Sequence, residues 1–137
     1  MQSRRSQKRK LTKSEQMARV RSRDTRPEML LRSALWISGL RFRLRPELPG
    51  TPDLAFMSRK LAVFVDGCFW HACPEHYTRP VRNAEFWKRK IQGNRRRDRK
   101  VDRILSILGW TTIRIWEHEI SKNLPDVVRR IDCMVRP

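Results

Sequence analysis

No stretch of this sequence stays apolar over the roughly 18 residues that a membrane-crossing helix needs, and no apolar signal-peptide segment follows the basic start. A cytoplasmic protein with no membrane partner is therefore expected. Cysteine is scarce and odd in number, with three in the chain. That count argues against a disulfide framework and leaves metal ligation or simple burial as its use. Cys133, between Ile131 and Val135, is expected to be a buried or half-buried helix residue. There is no internal repeat and no long linker, which excludes solenoids and tandem arrays. No glycine-rich loop suited to cradling phosphates is present, so nucleotide-driven chemistry has no footing. Acidic residues are few: 14 Asp and Glu face 32 Lys and Arg, a net charge of +18. An excess of that size calls for a polyanionic partner, and nucleic acid is the usual one.

The 137 residues suffice for one domain with a modest core. Residues 1–13 are almost wholly polar and basic and read as a disordered arm, with a single domain over 14–137. Thr12 and Glu15 form a capping box for a short helix from about Lys13 to Arg21. Thr25 and Pro27 open a clearer helix whose apolar stripe is Leu30, Leu31, Ala34 and Leu35, and Gly39 stops it. Strands follow at 41–45, 53–56 and 61–65, the last two joined by "MSRK" as a hairpin. Because "LAVFV" is apolar throughout, it should lie centrally and be covered on both faces. A long helix runs from Asn83 toward Leu108, "TTIRIW" at 111–116 is a strand, and "LPDVVRRIDCMV" is a closing helix. This order implies an α/β fold, a mixed sheet flanked by helices. Trp36, Trp87, Trp110 and Trp116 fall on regular elements and are expected in the core.

Chemistry concentrates in "VDGCFWHACPEH", residues 65–76. Cys68, Cys73 and His76 have the spacing C-x4-C-x2-H, and thiolate and imidazole are the donors that zinc prefers. A structural site needs four ligands, and either His71 or His118 could complete it. His118 fits better, because it would anchor the loop to a distant strand, and that frees His71. Asp53 starts one hairpin strand and Asp66 ends the next, so both lie at one open end and on one face. Two carboxylates there suit a divalent cation beside a phosphodiester, although Asp53 could instead be a turn residue and Asp66 a partner for a surface arginine. A Pro-Asp, a turn and an apolar strand ending in an acid resemble the PD-(D/E)xK nuclease arrangement, with His71 replacing the missing lysine as proton acceptor. Glu28 forms a capping box with Thr25, and it could also stand near the metal water or hold His71. Arg95, Arg96, Arg97, Arg99 and Lys100 are expected to grip phosphates.

Five motifs in order, "MARVRSRDTRPE", "LPGTPDLAF", "VFVDGCFWHACPEH", "EFWKRKIQGNRRRD" and "LGWTTIRIWEHE", resemble the very-short-patch repair (Vsr) DNA mismatch endonuclease family from about Met17 to Glu119. The resemblance implies a restriction-endonuclease-like fold with one structural zinc. It implies a bacterial enzyme that nicks duplex DNA 5′ of the thymine in a T:G mismatch, the product of 5-methylcytosine deamination, with magnesium as cofactor. Carried onto this sequence, it makes Asp53 a magnesium ligand together with the Val65 backbone carbonyl, His71 the general base and Glu28 its support. Cys68, Cys73, His76 and His118 become the zinc ligands. Phe69 and Trp70 become wedges beside the mismatch, with Met17 entering from the other groove and Lys90 and Asn94 close to the mismatched bases. Hydrophobic core is the other reading of Phe69 and Trp70. Some relatives carry histidine at the position of Asp66 and threonine at that of Val65. An aspartate there suits magnesium better than a phosphate contact. The expected partner is mismatched double-stranded DNA, met by a monomer on the nucleoid, with mismatch-repair proteins as further candidates. Two other readings stand beside it: a restriction-like endonuclease indifferent to mismatches, and a zinc-stabilised DNA-binding module without catalysis.

Overall fold

The computed structural model describes residues 24–68, 71–75, 77–78 and 80–137. The basic arm, the short helix near Lys13 to Arg21, Met17, Phe69, Trp70 and His76 lie outside the described residues.

Helix α1 (Arg26–Ile37) begins where Thr25 Oγ1 accepts the Glu28 backbone N–H and Pro27 supplies a preset φ in the first turn. Its buried stripe is Glu28, Leu31 and Leu35, so Leu30 is a correction: it faces outward, and an acid takes part of the inward face. Gly39, at φ +87°, ends the helix as its sequence position implied. Strand β1 (Arg43–Leu44) is shorter than the expected run over 41–45, because it is an edge with both of its residues exposed. Strand β2 (Leu54–Phe56) turns through a 3-10 turn (Met57–Arg59) into β3 (Leu61–Asp66), with Phe56 opposite Leu61 and Leu54 opposite Val63. Lys60 takes the left-handed conformation that closes this hairpin.

Helix α2 (Ala84–Ile107) then crosses over and returns the chain to β4 (Thr111–Trp116), parallel to β3. The sheet order is β1-β2-β3-β4, antiparallel except for that last pair, which makes it mixed with β3 inside. Helix α3 (Glu117–Val135) starts directly at the end of β4, seven residues before the expected Leu124. The Trp116 backbone N–H donates to Glu119 Oε2 at 2.9 Å, fixing that start, and the chain kinks at Asn123 ahead of Pro125.

Alternation along β3 divides the core. Leu61 and Val63 join Leu54, Phe56 and Ile115 under α1 and α3, in a cluster that includes Leu31, Leu35 and Ile131. Ala62 and Phe64 face the other way, against Leu105 of α2. The result is a three-layer α/β domain, with Asp66 on the α2 side of the sheet. Among the tryptophans, Trp87 is buried and Trp110 and Trp116 are partly buried. Trp36 is a second correction: it is exposed, with Arg41 stacked 3.5 Å over its ring and Phe42 at its edge. It lies off the buried stripe of Leu31 and Leu35, so an arginine covers it instead. Cys133 is a third: it is exposed on α3, whose buried stripe runs through Val127 and Ile131. Among the described residues, no helix is long and apolar enough to cross a membrane.

Candidate active site

A cleft of about 950 Å³ opens between the sheet end and α2, lined by Glu28, Asp53, Val65, Asp66, His71, Lys90, Asn94, Asp98, Arg114 and Glu117. Hairpin register supplies two of its acids. The Asp53 backbone N–H donates to the Val63 carbonyl at 3.0 Å, and its carboxylate Oδ2 accepts the Val65 backbone N–H at 2.6 Å. Asp53 is thereby locked to the strand end from which Val65 and Asp66 emerge.

Burial pushes the Asp53 carboxyl up to about 7, against the opposing Val65 N–H, and the nearby negative charges of Glu28 and Asp66 add to the rise. Glu28 lines the cleft beside Asp53, and its negative charge adds to an environment that a cation would relieve. The other Glu28 contacts are the Asp24 backbone N–H, at 2.8 Å, and Arg32. Glu28 therefore both caps α1 and faces the cleft beside Asp53, while the residue that meets His71 is another acid.

The partner of His71 is Asp98, from the basic middle of α2, whose Oδ2 forms a short hydrogen bond with Nδ1. With the ring proton on Nδ1 directed at Asp98, Nε2 is the basic nitrogen, and it lies 3.8 Å from Asp66 Oδ1. Asp66 is 6% exposed, and its carboxyl is raised by burial while His71 and Arg114 hold it down. Sequence reasoning missed Asp98 and Arg114. A lone acid inside "RRRD" and a lone cation inside "TTIRIW" were the available signs.

Behind His71, the thiols of Cys68 and Cys73 lie 3.3 and 3.5 Å from His118 Nδ1. Ligands about 2.0–2.3 Å from a tetrahedral zinc stand roughly 3.6 Å apart, a spacing that these two buried thiols and the part-buried imidazole approach. Burial pushes the Cys68 thiol up to about 11, with Cys73 and Glu117 adding to the rise, so a thiolate here needs a cation's charge. His118 Nε2 faces Glu75 at 3.5 Å, and Glu117 Oε1 accepts the Cys68 backbone N–H at 3.1 Å. These contacts tie the loop carrying His71 to the start of α3.

Lys90 and Asn94 reach the cleft from α2, Lys90 lying 5.9 Å from the ring centroids of Phe86 and Trp87. Arg95, Arg96, Arg97, Arg99 and Lys100 are exposed along the same helix, a positive stripe at the mouth of an acidic cleft. Arg97 also hydrogen-bonds Asn94 Oδ1.

Acids and an imidazole in a cleft edged by arginines have the chemistry of a nuclease, and comparison with known proteins gives the same class. The family model described as "DNA mismatch endonuclease Vsr" matches residues 6–77, just over half of the chain. The type II nicking enzyme V.XorIIP of Xanthomonas oryzae pv. oryzae is 46% identical over 110 residues, 77% of this chain and 79% of that protein. The type II nicking enzyme V.NaeI of Lentzea aerocolonigenes is 43% identical over 113 residues, covering 78% and 68%. The DNA mismatch endonuclease Vsr of Escherichia coli K12 is 38% identical over 110 residues, covering 79% and 70%. The protein is an endonuclease. The chain belongs to the Vsr family of DNA mismatch endonucleases.

Proposed function

We propose that the protein is a magnesium-dependent, strand-specific endonuclease that nicks duplex DNA 5′ of the thymine in T:G mismatches and so opens very-short-patch repair in the bacterial cytoplasm. The observation that carries this reading is the pairing of two preparations in one cleft. Asp53 is fixed to the Val65 backbone in a negative environment, and His71 is fixed by Asp98 with Nε2 toward the same space.

The Asp53 carboxylate and the Val65 carbonyl would hold magnesium, whose charge would polarise the scissile phosphate and offset the charge on the leaving 3′ oxygen. His71 Nε2 takes a proton from the attacking water, and Asp98 stabilises the imidazolium formed. Arg95, Arg96, Arg97 and Arg99 grip backbone phosphates, while Lys90 and Asn94 approach base edges from the same helix. Phe69 and Trp70 follow Cys68 directly, so a zinc held by Cys68, Cys73, His76 and His118 would fix their base of attachment as well as that of His71. Unstacking a base step costs a few kcal/mol, and less at a wobble pair, so wedges at Phe69, Trp70 and Met17 would favour T:G duplexes. The mixed sheet with its acidic hairpin is consistent with a restriction-endonuclease-like core acting as a monomer.

The test is a nicking assay on a T:G duplex, its T:A homoduplex and the single strands, with magnesium present or withheld. A magnesium-dependent nick 5′ of the mismatched thymine is expected, and its absence refutes the reading. Several relatives are named type II nicking enzymes, which gives weight to a restriction-like specificity. Equal cutting of the T:A duplex would establish that one.

A further inference from the structure

One cation lies inside the cleft wall. The Arg114 guanidinium, on β4, meets Asp102 through Nε at 3.0 and 3.1 Å and through Nη2 at 2.7 Å. Its Nη1 lies 3.2 Å from Asp66 Oδ1 and 3.6 Å from Asp98 Oδ1, and Nη2 is 3.4 Å from the Asp98 backbone carbonyl. The parallel register sets Arg114 beside Phe64, and the guanidinium stacks 4.2 Å over that ring. Each nitrogen is thus engaged by protein acceptors, so the group is not held ready for a phosphate.

Two of the three acids it gathers are the ones on either side of His71: Asp98 at Nδ1 and Asp66 facing Nε2. Asp66, Asp98 and Asp102 come from β3 and α2, and without a cation among them their charges would push those elements and their side chains apart. Asp53 and Asp66 differ in the same terms. Asp53 has a backbone N–H and another acid for company, whereas Asp66 already has a guanidinium. Among the described residues, the cation near the first, Arg32, meets Glu28 and not Asp53, whereas Arg114 meets Asp66 directly.

We propose that Arg114 is a positioning residue, which holds Asp66 and Asp98 in place around His71, and that Asp66 serves this imidazole and not the metal. The inference rests on the role of His71 in the proposed function. It places the metal on Asp53 and the Val65 carbonyl, with an internal arginine standing where a second cation would otherwise be drawn.

The experiment uses the full chain with Arg114→Met, Arg114→Lys and Asp66→Asn. Single-turnover nicking of the T:G duplex is followed across a magnesium series, duplex affinity is measured in calcium, and the ring nitrogens of His71 are read by long-range 1H–15N NMR. Arg114→Met and Asp66→Asn are expected to slow nicking about 10- to 100-fold, as removal of a ligand-orienting contact does. The magnesium midpoint and the duplex affinity should stay within about threefold, and Arg114→Lys should recover part of the rate. Asp66→Asn raising the magnesium midpoint tenfold or more would make Asp66 a metal ligand and overturn the proposal. Loss of duplex affinity in step with rate in Arg114→Met would make Arg114 a DNA contact and overturn it too, as would unchanged rates. If Arg114→Met fails to fold, Asp66→Asn and Arg114→Lys decide. If the wild-type protein nicks no duplex, the proposed function fails by itself. The His71 spectrum still decides the inference: a protonated Nδ1 in the wild type and a changed tautomer or averaged ring in Arg114→Lys is expected, and identical spectra refute it.

Discussion

Replacing Asp53 with asparagine should abolish nicking and, without magnesium, make the protein more stable. The side chain keeps its shape, and its amide oxygen can still accept the Val65 N–H. Its amide nitrogen now donates toward Glu28, where two carboxyls stood before. The gain depends on pH with a sign that can be worked out. In the unfolded chain the carboxyl ionises near 3.8, and in the folded protein at about 7. Between those values the folded state keeps a proton that the unfolded state has released. Wild-type stability therefore falls as pH rises through this window, and the loss is complete above the folded pKa. The full displacement corresponds to about 4 kcal/mol, of which roughly a third is already lost at pH 5. The stability gap between Asp53→Asn and wild type should then widen by about 2–3 kcal/mol from pH 5 to pH 8, or roughly 7–10 °C in melting temperature. Comparing two pH values cancels any fixed effect of the amide. The assay is thermal or urea unfolding of both proteins at constant zinc and ionic strength. Added magnesium should close the gap by stabilising wild type alone. A gap that stays constant, or narrows as pH rises, would refute the account of Asp53.

His71→Ala should cut the single-turnover nicking rate by at least about 100-fold and Asp98→Asn by about 10- to 100-fold, both with near-normal duplex affinity. A fully active Asp98→Asn would show that the Nδ1 contact has no part in catalysis. Cys73→Ala should lose its bound zinc by elemental analysis, together with cooperative melting, and an unchanged melt would refute a structural role for the metal. Gly50, at φ +76°, sits so close to α2 that an added Cβ would fall 2.5 Å from Val101 Cγ1. Gly50→Ala should cost about 2–4 kcal/mol in urea unfolding, from overpacking and the left-handed backbone. Adding Val101→Ala should recover the steric part, and no recovery would place the cost in the backbone alone.

Much of this arrangement was legible along the chain. Period-two and period-3.6 patterns gave the element order, and "MSRK" gave the hairpin register that sets Asp53 and Asp66 at one sheet end. Helix α3 starts before the point that Pro125 and the apolar run after it mark, because its true start depends on the reach of Glu119 back to Trp116. A large aromatic on an amphipathic helix usually points inward, so the sequence implies a buried Trp36, and only the fold shows Arg41 stacked on it. Asp98 and Arg114 stayed hidden for a different reason. Their partners are 27 and 48 residues away, so local composition reports only an acid among arginines and an arginine among apolar neighbours. Charge pairs of that range belong to the topology, and one chain without its fold does not display them.

The parallel β3–β4 pair also sets an order of assembly. Cys68 and His118 are 50 residues apart, and they meet where β4 lies beside β3. Pairings that distant are among the slowest contacts a chain makes. A half-folded chain therefore holds Cys68 and Cys73 but not the imidazole that joins them, and His71, lying between those two thiols in sequence, has no fixed position yet. The basic residues of α2 carry their charge whether or not β4 has paired. The cluster of Asp66, His71, Asp98 and Arg114 closes only with that pairing, so charge and cleft geometry are separable properties of the chain.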